Sequence, residues 1–391
     1  MRALLIILSF LPLTLATLQV GFYKTSCPQV ESIVESVIEN RFFNDFSITA
    51  ALLRMYFHDC FVNGCDASIL IASTKDTPSE QDAGPNLTVR GFDIIAEIKS
   101  SIEAVCPNTV SCADIIALAT RDAVVQSGGL NYSVPTGRRD GLRSDPNDVN
   151  LPSPSLTVSE ALQFFTDNKL SLNDMVVLLG CHTVGVAHCV FFRDRLQDFN
   201  GSGLPDPTLN RTLLTKLNKT CGPVQKPLNQ DNTAFLDQNT SFFIDNSYYK
   251  QLLVGKGILQ IDEELAFDSS TANFVKSLAS NSSGFLQLLA DALVKLGNVG
   301  VLEGNAGEIR KNCSIFNSKL PPPVPSPVPP PSPPLLPPIA PSAPPSPAPL
   351  PPPPPPPSSL PPPPPSSLPP QSNPPSALPS APAPSYLPPA P

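Results

Sequence analysis

The last part of the chain has a composition that does not support a folded core. Residues 321–391, the proline-rich tail, hold 39 of the 52 prolines and contain no Asp, Glu, Lys or Arg. Such a segment cannot bury enough apolar surface to offset the conformational entropy that ordering would remove. We therefore predict that the folded domain lies within residues 19–320, which is enough chain for one large core or two lobes.

The chain begins with MRALLIILSFLPLTLA, in which one Arg precedes an apolar run that ends in small residues. Thr14, Leu15 and Ala16 suit the cleavage site of a signal peptidase. A membrane anchor is the alternative, but the run is shorter than the roughly 20 apolar residues of a spanning helix, and Pro12 interrupts it. We predict a signal peptide at residues 1–18, a secreted protein and no membrane-spanning segment.

The cysteine content predicts a disulfide-bonded domain. Nine cysteines in a secreted chain indicate disulfides plus one spare thiol. Their spacing leaves the pairing open, because eight cysteines allow about 105 combinations. Only Cys60 and Cys65 are close enough in sequence to suggest a bridge across a tight turn.

The net charge is −8, and every charged residue precedes the proline-rich tail. The folded part is therefore acidic. This argues against nucleic acid and anionic membranes as partners.

Helical periodicity dominates the folded part, with apolar residues recurring on one face of three segments. These residues are Val30, Ile33, Val34, Val37 and Ile38, then Ile94, Ile95, Ile98, Ile102 and Val105, and finally Phe285, Leu288, Leu289, Ala292, Leu293 and Leu296. Ser111, Thr157 and Ser171 each precede an acidic residue by three positions, which predicts three helix N-termini. No series of alternating strands is evident, so we predict a mainly α fold with minor β structure.

Two of the three histidines, His58 and His182, lie in unusual sequence contexts. Arg54 and His58 are four residues apart, so a helix would place their side chains on one face, one turn apart. An imidazole can move a proton while a fixed cation stabilises developing negative charge. Taken alone, the pair is more simply interpreted as a hydrogen-bonded histidine beside a surface arginine.

Three longer segments change that interpretation. Arg54–Ser68 (RMYFHDCFVNGCDAS) resembles the distal haem segment of the secretory plant (class III) peroxidases. Leu178–Gly185 (LLGCHTVG) resembles their proximal haem segment, and Val134–Asp140 (VPTGRRD) resembles a further signature of that family. The resemblance runs from about Gln19 to about Lys319, in the same order. It implies the haem peroxidase fold, in which two helical lobes enclose haem b.

The resemblance also implies roles for individual residues. Arg54, Phe57 and His58 would line the peroxide side of the haem, and Asn86 would accept a hydrogen bond from His58. His182 would be the axial iron ligand, and Asp262 would accept the remaining N–H of His182, which strengthens the imidazole as a donor. The alternative for Asp262 is a helix N-cap. Phenolic donors would react at the exposed haem edge near Pro135.

Two calcium ions are implied in the same way. The distal site would comprise the side chains of Asp59, Asp66 and Ser68 with the carbonyls of Val62 and Gly64, and Glu80 would link it to the distal pocket. The proximal site would comprise Thr183, Asp237, Thr240 and Asp245 with the carbonyl of Phe243. Hard oxygen ligands at such spacing suit calcium. Without the resemblance, these residues would be interpreted as solvated loops.

The family pairing would place the disulfides at Cys27–Cys106, Cys60–Cys65, Cys112–Cys313 and Cys189–Cys221. Cys181 is then left as a free thiol, which we expect to be buried and unreactive. Cys181, Leu179 and Leu236 stand where relatives usually carry other residues, so they could alter redox potential or stability. We expect His188 to have no part in the chemistry.

Eight sequons suggest glycosylation in a secreted chain. Their asparagines are Asn86, Asn131, Asn200, Asn210, Asn218, Asn239, Asn281 and Asn312. We expect Asn86 to be unmodified because its proposed role requires burial. Asn312 is doubtful as well, because Cys313 lies inside its sequon.

The implied protein is a monomeric donor:hydrogen-peroxide oxidoreductase of the cell wall or apoplast, which oxidises phenols by one-electron steps. The proline-rich tail favours a polyproline II rod that could tether the enzyme to cell-wall polymers, or a disordered extension without a partner. One alternative is a structural wall protein with an inactive peroxidase-like domain. Another is a zinc hydrolase, although the sequence lacks a close pair of histidines.

Overall fold

The computed structural model describes residues 18–317. The predicted signal peptide, apart from Leu18, and the proline-rich tail lie outside these residues. Between residues 18 and 317 the chain forms twelve α-helices and two small antiparallel sheets of two strands each. The predicted mainly α fold with minor β structure is confirmed. None of the helices between residues 18 and 317 combines the length and the apolar composition that a membrane span requires.

The elements are numbered in chain order. The helices are α1 (Val30–Asn44), α2 (Ile48–Cys60), α3 (Phe92–Glu103), α4 (Cys112–Gln126), α5 (Val158–Asp167), α6 (Leu172–Leu179), α7 (Arg193–Gln197), α8 (Arg211–Cys221), α9 (Ser247–Leu252), α10 (Gln260–Phe267), α11 (Ala272–Ser280) and α12 (Ser282–Leu296). Strand β1 (Gln19–Val20) pairs with β2 (Pro135–Thr136), and β3 (Val186–His188) pairs with β4 (Thr233–Phe235).

Helix α4 is the centre of the first helix group. Every residue from Cys112 to Val124 is buried, as expected for a helix that is apolar on most of its faces. Helices α1, α2 and α3 pack against it. In a second group α9 packs against α10 and α11, while α12 packs against α6 and α11. The short turn Gly180–Thr183 contacts both α2 and α9, so it lies between the two groups.

The predicted helix starts are present. The Ser111 hydroxyl accepts the Asp114 N–H, and Thr157 and Ser171 form capping boxes with the acidic residues three positions later. Two residues that the periodicity assigned to apolar helix faces are exposed. Val105 lies beyond the end of α3 and is 52% exposed, and Leu288 of α12 is 40% exposed. Periodicity identifies the buried face of a helix but does not define where that face ends.

Four disulfides join the pairs that the family resemblance implied. The longest connection, Cys112–Cys313, spans 201 residues. Buried polar contacts hold the same junction. The Asp140 carboxylate accepts the Ala113 N–H at 3.0 Å and the Arg310 N–H at 2.9 Å. The start of α4 is therefore fixed to the end of the described chain by covalent and polar links together.

Candidate active site

Helix α2 carries the first histidine of the site. Arg54 and His58 lie one turn apart, and the Arg54 Nε–H donates to Nε2 of His58 at 3.2 Å. Arg54 is held in place because its Nη1 donates to the Thr88 hydroxyl at 2.7 Å and its Nη2 donates to the Pro85 carbonyl at 2.8 Å. The helix spacing alone brings the two side chains together, as the sequence predicted.

Asn86 determines which nitrogen of His58 carries the proton. The Asn86 Nδ2 donates to the Glu80 carbonyl at 2.7 Å, so its Oδ1 faces His58 and lies 2.6 Å from Nδ1. Because that oxygen only accepts, Nδ1 of His58 is the donor and Nε2 keeps its lone pair. Asn86 is buried, and both ends of its amide are engaged. Burial of this sequon agrees with the expectation that it is not glycosylated.

The surroundings of His58 oppose a positive charge. Burial, followed by the nearby Arg54 cation, lowers the pKa of His58 to about 3, although the bond to Asn86 acts in the opposite direction. Burial also lowers the pKa of Arg54 to about 10, which leaves the guanidinium charged at neutral pH. The pair is therefore a neutral base beside a fixed cation.

The second histidine follows α6 in the turn Gly180–Thr183. Gly180 is required there, because a Cβ would lie 2.3 Å from the Tyr249 hydroxyl and 2.7 Å from the Phe285 ring. The Nδ1 of His182 lies 2.7 Å from Oδ1 of Asp262, which leaves Nε2 as the nitrogen available to a metal. Burial opposes a charge on His182, but the Asp262 carboxylate outweighs it and raises the pKa of the imidazole.

Asp262 does not act as the N-cap of a helix. Helix α10 is preceded by Leu259, so Asp262 occupies its third position. Its Oδ1 accepts from His182 and from the Tyr248 hydroxyl, which lies 2.9 Å away, and its Oδ2 accepts the Leu259 N–H at 3.3 Å. Tyr248 was not identified from the sequence, because nothing in the local pattern of α9 indicates which carboxylate its hydroxyl meets.

The acidic and hydroxyl side chains of the predicted distal calcium site form a buried cluster, in which some oxygens have no hydrogen-bond partner among the described residues. Asp59, Asp66, Ser68 and Glu80 are all buried, and Val62 and Gly64 lie in the loop that the Cys60–Cys65 disulfide spans. Oxygen atoms of three side chains have no hydrogen-bond partner within the described residues; they are Asp59 Oδ1, Ser68 Oγ and Glu80 Oε2. Buried polar atoms are almost always paired, so this cluster fits a cation.

Electrostatics support the same conclusion for the distal cluster. Burial, followed by the negative charges of Asp66 and Glu80, raises the pKa of Asp59 well above its usual range. Burial also raises the pKa of Asp66, and it raises that of Glu80 to about 8. A bound cation would remove this repulsion and favour the ionised carboxylates.

The predicted proximal calcium residues also converge. The Thr183 hydroxyl lies 3.4 Å from Asp237 Oδ2, from the Phe243 carbonyl and from Asp245 Oδ1. The Thr240 hydroxyl lies 3.3 Å from Asp237 Oδ2 and 3.1 Å from Asp245 Oδ1. Between residues 18 and 317, no three His, Cys, Asp or Glu side chains group as a metal site by themselves. A metal at either cluster would need hydroxyl and backbone oxygens as further ligands, and such hard oxygen donors suit calcium rather than zinc.

The structure also describes four further residues from the sequence analysis. The Phe57 and His58 rings are 5.9 Å apart, and Pro135 is partly exposed in β2. Leu236 is buried, and His188 is the last residue of β3.

Cys181 has no disulfide partner in the described chain, as expected, but its side chain is partly exposed rather than buried. It lies in the same short turn as His182, whose side chain is itself 29% exposed. The protein atoms packed around the sulfur nevertheless shield it from most of the solvent, and this desolvation raises the pKa of the thiol to about 12.

Comparison with known proteins gives consistent matches along the chain. The family profile described as Peroxidase matches residues 34–281. The chain is 52% identical over 318 residues to "Peroxidase 44" of Arabidopsis thaliana, covering 81% of this chain and 98% of that protein. It is 49% identical over 315 residues to "Peroxidase 57" of the same plant, covering 81% and 97%. It is also 42% identical over 306 residues to "Peroxidase 5" of Vitis vinifera, covering 78% and 92%.

Proposed function

The chain belongs to the plant (class III) peroxidase family and is a peroxidase, and we propose that His58, Arg54 and His182 are its central catalytic and haem-binding residues. The observation that carries this assignment is the pairing of each histidine with one polar partner. Asn86 leaves Nε2 of His58 as a base, and Asp262 leaves Nε2 of His182 as a metal ligand. One imidazole that can act as a base and one that can bind a metal together suit a haem peroxidase.

His182 and Asp262 would hold haem b, which supplies a redox-active iron that accepts oxidising equivalents from hydrogen peroxide and then takes single electrons from donors. The fit rests on the chemistry of the residues present. Asp262 accepts the Nδ1 proton of His182 and so strengthens the imidazole as a donor.

The distal residues would manage the proton and the charge. His58 Nε2 would take a proton from one oxygen of hydrogen peroxide and deliver it to the other, which departs as hydroxide and becomes water on receiving that proton. The two electrons that the O–O cleavage requires would come from haem. Arg54 stabilises the negative charge on the departing hydroxide, and Asn86 fixes the imidazole through Nδ1. Proton transfer of this kind typically contributes roughly 10²–10⁴-fold to the rate.

The experiment that tests this assignment compares two histidine variants. We expect His182→Ala to lose haem or peroxidase activity, because no other histidine replaces it, while His188→Ala keeps both. Haem content is measured from the Soret band and by extraction, and activity is measured with hydrogen peroxide and a phenol. Full activity and normal haem content in His182→Ala would contradict the assignment.

We further propose two calcium ions, at the distal and proximal clusters described above. The unpartnered oxygens of Asp59, Ser68 and Glu80 support the first site. The convergence of Thr183, Thr240, Asp237 and Asp245 supports the second. Because Thr183 directly follows His182, the second ion would also stabilise the position of the iron ligand.

The donors and the location form the remaining part of the proposal. Small phenols would react near Pro135, and the secreted monomer would act in the cell wall or apoplast. The composition of the proline-rich tail supports attachment to wall polymers.

Salt extraction of cell walls tests this attachment, with plants that express either the full chain or a chain stopped after Lys319. Equal release of both forms would contradict attachment, while lost activity in the shorter form would show that the domain boundary is wrong.

A further inference from the structure

Tyr248 shares a carboxylate oxygen with the predicted iron ligand. Oδ1 of Asp262 lies 2.7 Å from Nδ1 of His182 and 2.9 Å from the Tyr248 hydroxyl. Tyr248 and Asp262 are 2% and 1% exposed, so water cannot replace either partner. One oxygen atom therefore accepts two protein hydrogen bonds in a buried environment.

The neighbouring tyrosine makes a different contact. Tyr248 and Tyr249 are consecutive in α9, and their rings pack edge to face with centroids 5.0 Å apart. The Tyr249 hydroxyl donates to the Val176 carbonyl at 3.0 Å and does not contact Asp262. The chain thus offers a matched pair of buried tyrosines, of which only one reaches the carboxylate.

When one acceptor oxygen receives a second hydrogen bond, its bond to the first donor weakens. A hydrogen bond from Tyr248 withdraws electron density from Oδ1 of Asp262, so the bond that this oxygen accepts from His182 becomes weaker. The basicity of a metal-binding imidazole depends on that bond. A weaker bond leaves His182 a poorer electron donor to iron.

We propose that Tyr248 is a positioning residue that acts through Asp262 and limits the donor strength of His182. The proposal deepens the function proposed above and rests on His182 as the iron ligand. The role is distinct from packing, because a phenylalanine at this position keeps the ring and removes only the hydroxyl. In that variant, Oδ1 of Asp262 would accept a hydrogen bond from His182 only.

The first test uses the haem-free protein. Tyr248→Phe should move the proton resonance of His182 Nδ1–H downfield, because its bond to Asp262 becomes stronger, while Tyr249→Phe should leave it unchanged. NMR of the 15N-labelled protein measures this shift. An unchanged resonance in Tyr248→Phe, or an equal shift in both variants, would overturn the proposal.

The second test uses the haem-loaded protein. Tyr248→Phe should shift the ferric/ferrous reduction potential to more negative values and raise the iron–histidine stretching frequency in resonance Raman spectra. Tyr249→Phe should change neither. In an Asp262→Asn background the effect of Tyr248→Phe should disappear, because the hydroxyl acts through that carboxylate. Persistence of the effect would overturn the proposal.

The two tests separate the proposal from the function on which it rests. If the unsubstituted chain binds no haem, the proposed function fails, and so does the part of the proposal that concerns iron. The NMR shift would still decide whether Tyr248 controls the His182–Asp262 bond. If haem binds and neither the resonance nor the potential responds to Tyr248→Phe, only the inference about Tyr248 fails.

Discussion

The Nε–H of Arg54 points at Nε2 of His58 from a distance of 3.2 Å. The nitrogen that we propose as the base therefore faces a guanidinium cation, while the opposite nitrogen is held by Asn86. This arrangement keeps the imidazole neutral over a wide range of pH. In the proposed reaction, the same cation would stabilise the negative charge that develops on peroxide oxygen.

The pH dependence of the peroxide reaction should reflect this pair. The pKa of His58 is lowered to about 3, so the neutral base is present above that pH and is lost as pH falls through it. Arg54→Leu removes a charge that lowers this pKa, so the loss should begin at a higher pH. Stopped-flow absorbance after brief pH jumps measures the apparent pKa. The exposed Arg90→Leu variant is the control, and equal profiles for both variants would contradict the prediction.

Removing the base should separate haem binding from catalysis. We expect His58→Leu to keep its haem, because His182 and Asp262 are untouched, and to react with peroxide more slowly by roughly 10²–10⁴-fold. The Soret band measures the first property and stopped-flow absorbance measures the second. A fast reaction in this variant would show that another group moves the proton.

Calcium removal should destabilise the domain. Without the cation, the buried carboxylates of Asp59, Asp66 and Glu80 would repel one another. We therefore expect chelation to lower the Tm and to disturb the haem spectrum. Asp66→Asn should reduce the calcium-dependent part of the Tm, whereas the exposed Asp76→Asn should retain it. Calorimetry and bound calcium content provide the measurements. If exhaustive chelation changes neither Tm nor spectrum, the proposed sites do not hold calcium.

Glu263 should make stability depend on pH. Its carboxyl is buried, its Oε2 accepts the Gly257 N–H at 2.6 Å, and Arg195 lies 3.9 Å away. Burial raises the pKa of Glu263 to about 8; Arg195 and the Gly257 N–H act against this, while Asp206 and Asp262 add to it. The native state therefore keeps a proton that the unfolded chain releases above its ordinary pKa of roughly 4.3.

The free energy of unfolding should consequently fall as pH rises from roughly 4.3 to about 8, with a slope of at most about 1.4 kcal/mol per pH unit from this group. Glu263→Gln cannot ionise, so it should remove that component of the slope. Glu264→Gln, at a partly exposed neighbour, should leave it intact. Denaturant unfolding at several pH values checks this, and identical slopes in both variants would contradict the prediction.

The sequence predicted local arrangements better than distant contacts. Arg54 and His58 share a helix, so their spacing alone predicted that they meet. The contact of His182 with Asp262 required the family resemblance, because packing of α9 and α10 beside the Gly180–Thr183 turn brings them together. Tyr248 carries no signal of its own, since its partner is determined by the same packing. Disulfide pairing likewise depended on the resemblance, because cysteine spacing permits many combinations.

The bridge between Cys112 and Cys313 has a consequence for the synthesis of the protein. Its partners are 201 residues apart in the sequence. At a translation rate of roughly 5–20 residues per second, Cys313 is therefore added about 10–40 s after Cys112. Cys181, which has no partner in the folded domain, emerges during that interval. A chain that stops before residue 313 would carry both Cys112 and Cys181 as unpaired thiols, and in the oxidising compartment of the proposed secretory route these thiols could join separate chains. Completion of the domain is thus coupled to the last part of its translation.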